Sequence, residues 1–118
     1  MTLFGVNNKN SNMLCNETKF LNQNSVIIYD IVTKLKTITL THKRWKIVKN
    51  SFEYIIDIYH SRWSGKCDIL IDNICAFTCK LKCGDSGITY VGQCNIDITF
   101  KIVINVKDAS FTYDLTII

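Results

Sequence analysis

His42-Lys43-Arg44-Trp45 and His60-Ser61-Arg62-Trp63 repeat one pattern, His-x-Arg-Trp, eighteen residues apart. An indole offers a flat apolar face on which a sugar ring or a base stacks. A guanidinium beside it pairs with sulfate, carboxylate or phosphate. His42, Arg44, Trp45, His60, Arg62 and Trp63 are therefore the candidate ligand-binding residues, and a glycan or another anionic partner is the ligand class they suit. The plainer reading is that both tryptophans close the ends of a core, with the arginines stacked locally.

The six cysteines are Cys15, Cys67, Cys75, Cys79, Cys83 and Cys94. Zinc-binding cysteine pairs sit on turns, whereas Cys75 and Cys79 fall in an alternating, strand-like run. There they stand ~13 Å apart at ~3.3 Å per residue, so the expectation is no metal and no cofactor. Register brings other pairs together. A three-residue loop at Asp72-Asn73-Ile74 sets Cys67 opposite Cys79. A loop over residues 84–87 sets Cys94 opposite Phe77, diagonal to Cys75 and Cys79. Cys67, Cys75, Cys79 and Cys94 then share one face. Cys67–Cys79 and Cys75–Cys94 could bond in an oxidising compartment, and would be small buried apolar side chains in a reducing one.

Cys83-Gly84-Asp85-Ser86-Gly87 resembles the nucleophile loop of chymotrypsin-type serine proteases. The chain order His42, then Asp57, Asp68 or Asp72, then Ser86 follows the order in that family. The resemblance implies a nucleophilic Ser86, His42 as its base, and an oxyanion hole made by backbone N–H groups beside the glycines. It covers four or five residues. Ile88 stands where the family has its next glycine, and the two barrels of those enzymes need more than the 118 residues present. A tight Gly-Asp-Ser-Gly turn is also what hairpin chemistry selects. The expectation is a protein that is not an enzyme. Residues 85–90 with Cys94 also resemble the Asp-x-Gly-x-Tyr-x-Cys strand of immunoglobulin domains, with the tyrosine one residue late and the cysteine two further on. That resemblance implies a sandwich and nothing narrower.

The elements that must hold these residues are extended. From Ile96 to Val106 every even position is apolar, and the alternation resumes in opposite parity at Phe111, Tyr113, Leu115 and Ile117. A period of two places the apolar set on one side of a strand. The polar segment 107–110 makes this a hairpin, with Ile104 opposite Tyr113 and Ile102 opposite Leu115. Similar alternation runs through Thr37–Leu40, through Phe52, Tyr54, Ile56 and Ile58, and through Ile69–Leu81, with turns near Lys49-Asn50, Ser64-Gly65 and residues 83–87. Residues 25–35 suit a helix or a strand: Ile28, Ile31, Val32 and Leu35 make a helical stripe, but β-branched clusters prefer sheet. The expected fold is all-β, an antiparallel β-sandwich or small β-barrel of about seven to eight strands with at most one helix.

Residues 1–24 contain seven asparagines and read as a mobile arm with one short strand near Phe20-Leu21; residues 25–118 read as a single β-domain. Asn16-Glu17-Thr18 matches a glycosylation sequon. Proline is absent; together with abundant isoleucine, asparagine and lysine, this is the signature of an AT-rich coding genome. The net charge of +4 is uneven, since residues 31–52 carry Lys34, Lys36, Lys43, Arg44, Lys46 and Lys49 and no acid. Such a face attracts anions. No apolar run approaches the ~18 residues of a transmembrane helix, and no nucleic-acid motif or nucleotide glycine loop occurs. The N-terminus lacks the features of a secretory signal, which places a complete chain in the cytoplasm and a trimmed mature form outside the cell. The function expected is a non-enzymatic binding module. The alternatives are an assembly subunit that self-associates through β edges and a hydrolase using Ser86.

Overall fold

The structure is a computed structural model that describes residues 17–21, 26–31 and 39–118. The Asn-rich segment up to residue 16 lies outside the described residues. So do Cys15, Asn16, residues 22–25 and residues 32–38, which hold part of the ambiguous stretch and of the basic run.

The alternating runs form nine strands and, among the described residues, no helix. β1 (Glu17–Leu21), β2 (Ile27–Ile31), β3 (Leu40–Lys49), β4 (Phe52–Ser61), β5 (Lys66–Ile71) and β6 (Ile74–Lys80) make one sheet in that order. β7 (Ile88–Asn95), β8 (Ile98–Lys107) and β9 (Ser110–Ile117) make the second. All paired strands are antiparallel. The expected all-β antiparallel fold, a sandwich or small barrel, is borne out as two sheets with nine strands rather than seven or eight, and the short strand near Phe20-Leu21 is β1. Residues 27–31 resolve as strand, in keeping with β-branched Ile27, Ile28 and Ile31, whose χ1 stiffness suits a pleated surface.

Two turns show how the meander reverses. Asn50-Ser51 and Asp72-Asn73 each hold positive φ at both central positions, 52° and 67° in the first and 49° and 67° in the second. That is the twist a two-residue hairpin requires, and asparagine and aspartate tolerate it best. The last hairpin has the expected register, with Ile104 opposite Tyr113 and Ile102 opposite Leu115. Ile96 departs from the expected apolar run. It is exposed in the two-residue turn between β7 and β8, and the inward set begins at Ile98.

The expected pairing of β6 with β7 is corrected by the topology: the two strands belong to different sheets. Residues 81–87 carry the chain from one layer to the other. Gly87 makes the passage fit, because a Cβ there would collide with the Ile104 carbonyl oxygen of β8. Between the layers lies one core: Trp45, Ile47, Ile56, Ile58, Cys67 and Ile69 from the first sheet meet Ile98, Phe100, Ile102 and Ile104 from the second. Phe77 stacks on Tyr90 across the gap, with centroids 4.9 Å apart.

Candidate functional site

The two His-x-Arg-Trp copies end in opposite surroundings. On β3, odd positions face the core, so Trp45 is 3% exposed while His42 and Arg44 point outward. On β4, even positions face the core, so His60 is buried, and Arg62 and Trp63 fall beyond the strand in the turn 62–65. Trp63 is 83% exposed. The structure thus brings His42 and Arg44 together, buries Trp45 and His60, and leaves Arg62 and Trp63 as an exposed pair.

Asp57 joins His42 and Arg44. Its Oδ1 accepts from His42 Nε2 at 2.6 Å and from Arg44 Nε at 2.7 Å, while Oδ2 accepts from Arg44 Nη2 at 3.3 Å. The carboxylate is fully buried, although it lies on the outer side of its sheet. His42 stacks flat on Tyr59, with centroids 4.2 Å apart. The hydrogen bond to Asp57 holds the Arg44 pKa above its ordinary value. A buried carboxylate is tolerable only when its lone pairs are met by such donors. The cluster ties β3 to β4, where Arg44 is the direct cross-strand partner of Asp57.

A histidine held by an aspartate is the orienting half of a hydrolytic triad. Ser86 lies on the crossing segment, next to Gly87 where the backbone abuts the Ile104 carbonyl of β8. The loop that resembles a protease motif is instead accounted for as a turn. Asp85 Oδ2 accepts the Lys82 backbone N–H at 2.7 Å, and the Asp85 N–H donates to the Lys82 carbonyl at 3.1 Å.

The second histidine is an inter-layer polar link. His60 Nε2 lies 2.8 Å from the Leu81 carbonyl, which only accepts, so Nε2 carries the proton. Nδ1 then accepts from the Tyr113 hydroxyl, also at 2.8 Å. Burial pushes the Tyr113 phenol up to about 12. His60 is fully buried, and both of its ring nitrogens are matched.

Of the cysteines, Cys67 and Cys79 stand directly opposite each other on β5 and β6. The loop before β6 is two residues long, and a bulge at Ile69/Leu70 leaves Ala76 unpaired, which restores the register of a three-residue loop. The bulge also reverses parity. Cys75 therefore turns outward, its Sγ 3.4 Å from Thr78 Oγ1, while Cys94 half-buries on β7. Cys83 is exposed in the crossing segment. Among the described residues no group of three or more His, Cys, Asp and Glu could hold a metal ion, and no helix is long and apolar enough to cross a membrane.

Sequence reasoning missed what surrounds Trp63. Arg62 Nη2 donates to the Ala109 carbonyl of the β8–β9 turn at 3.3 Å, and the Leu81 N–H donates to the Gly65 carbonyl at 2.8 Å. These contacts assemble one end of the sandwich from the turn 62–65, the ends of β5 and β6, residues 81–85 and the turn after β8. The strand order places Arg62, Lys66, Lys80, Lys82 and Lys107 at this end, against Asp68, Asp85 and Asp108, with Lys66 Nζ 3.9 Å from Asp68 Oδ2. Lys66 and Lys80 are direct cross-strand partners, an arrangement that costs stability when the charges are alike. The opposite end carries exposed Phe52, Ile74, Ile96 and Ile118. Only the strand order reveals either gathering, since each draws on turns far apart in the chain.

No protein-family model, curated protein or solved structure matches the chain.

Proposed function

We propose that the protein is a non-enzymatic binding module that takes an anionic glycan at its cationic end. The observation that carries the reading is the exposed indole of Trp63 in the turn after β4, next to Arg62, at the end of the fold where the strand order also places Lys66, Lys80, Lys82 and Lys107. A sugar ring stacks on the indole while sulfate or carboxylate groups meet the lysines. Two lysines paired across strands are favoured once an anion lies between them. Arg62 is tethered to Ala109 through one nitrogen, which fixes the turn that presents Trp63. Arg44 and His42 are committed to Asp57 and support the sheet rather than the ligand.

The test is retention on an immobilised sulfated glycan, with an uncharged glycan and a single-stranded oligonucleotide as competitors. Trp63→Ala and Lys80→Glu should each weaken binding about tenfold or more, with binding falling steeply as salt rises. Unchanged retention of both variants would sink the reading, and stronger competition by the oligonucleotide would move it to nucleic acid.

A second reading, a subunit that joins copies of itself, is supported by the exposed apolar side chains at the other end. Concentration-dependent light scattering that disappears in Ile74→Asp and Ile96→Asp would favour it.

A further inference from the structure

We propose that Cys67 and Cys79 form an intramolecular disulfide site, oxidised by a small-molecule disulfide of the glutathione class, that fastens edge strand β6 to the rest of the sheet. The two residues are direct partners across β5 and β6. Facing residues on antiparallel strands hold their Cβ atoms ~4.5–5.5 Å apart, and a disulfide needs ~3.5–4.5 Å. The remaining approach falls to a strand free to move. Among the described residues β6 is the last strand of its sheet and pairs on one side only, and the unpaired Ala76 gives slack between Cys75 and Phe77.

The route is set by access. Cys67 is fully buried beside its other cross-strand partner, His60, whereas Cys79 is half-buried. The Cys79 thiolate attacks one sulfur of the oxidant, forming a mixed disulfide and expelling one small thiol. The Cys67 thiolate then attacks the Cys79 sulfur, forming the internal bond and expelling the second thiol. The two protein thiols lose two protons and two electrons, and the oxidant leaves as two thiols. Burial pushes the Cys67 thiol up to about 12 and the Cys79 thiol upward as well. The thiolate is therefore scarce at neutral pH, and the rate should climb about tenfold per pH unit through the neutral range. The other described cysteines offer no such partner: Cys75 faces outward, Cys94 belongs to the other sheet and Cys83 lies in the crossing.

In the full-length chain, oxidised with excess glutathione disulfide at mildly alkaline pH, Cys67 and Cys79 should become unalkylatable together without carrying glutathione, whereas the exposed Cys75 and Cys83 take glutathione adducts. Peptide mapping should recover one linked pair, Cys67 with Cys79, and the oxidised protein should melt about 5 °C or more above the reduced one. Cys79→Ser should keep the fold and lose the pair. Recovery of both thiols, a stable glutathione adduct on Cys79, or linkage through any other cysteine would overturn the proposal. Mapping the unmutated protein keeps the test decisive even if the variant fails to fold.

Discussion

The same four-residue pattern occurs twice and is used in opposite ways. In the first copy His42 and Arg44 face outward on a buried aspartate and Trp45 fills the core. In the second His60 is sealed between the layers and Trp63 stands in solvent. The spacing is identical. What differs is the phase of the strand that carries it: β3 turns odd residues inward and β4 even ones. The second copy also runs past its strand into a turn, which releases Arg62 and Trp63 from either face. A motif on a strand therefore has no chemistry of its own until the parity of that strand is known.

The two tryptophans give the sharpest way to break this contrast. Trp45→Ala should cost about 3–5 kcal/mol of folding stability in urea, whereas Trp63→Ala should stay within about 0.5 kcal/mol. Equal losses would erase the distinction. The histidines come next. His60→Ala strands the Tyr113 hydroxyl and the Leu81 carbonyl and should cost about 2–3 kcal/mol, while His42→Ala leaves Asp57 with Arg44 and should cost about 1 kcal/mol.

Alkaline pH separates the copies further. Burial raises the thiols of Cys67 and Cys94 to about 12 from 9.0, and the Tyr113 phenol to about 12 from 10.0. The folded state thus keeps protons that the unfolded chain gives up. Stability is whole below about pH 9 and is lost as pH climbs toward 12, so melting temperatures should fall across that window. Cys67 and Tyr113 both adjoin His60, and Tyr113→Phe should flatten part of the fall. The smallest effect is optical. Acrylamide should quench only one of the two indoles, and Trp63→Phe should leave an emission that acrylamide barely reaches.

Where the alternation was unbroken, the sequence alone predicted both elements and register, as in the pairing of Ile102 with Leu115. It also led to Cys67 opposite Cys79, although by a loop of the wrong length: the bulge at Ala76 supplied the missing residue. Local pattern could not reveal the change of sheet after β6. A glycine-containing turn reads alike whether it returns a strand beside its predecessor or passes it to another layer. The burial of Asp57 was equally hidden, because an aspartate among apolar residues on alternating positions looks solvent-facing until His42 and Arg44 bond to it. The cationic end was illegible for a related reason, since Lys66, Lys80 and Lys107 meet only through the assembled topology.

The strand order has a kinetic consequence. In both sheets every strand pairs with its neighbour in the chain, and five of the seven pairings are closed by turns of two to four residues. Each such step fixes little loop entropy before its contacts begin to stabilise it. Sheets that require distant segments to find each other fold slowly, so this chain should reach its strands faster than a Greek-key sandwich of similar size. The late event is the closing of one layer over the other, when His60 meets Tyr113 and Phe77 meets Tyr90. Substitutions at those contacts should hasten unfolding while leaving the refolding rate nearly unchanged.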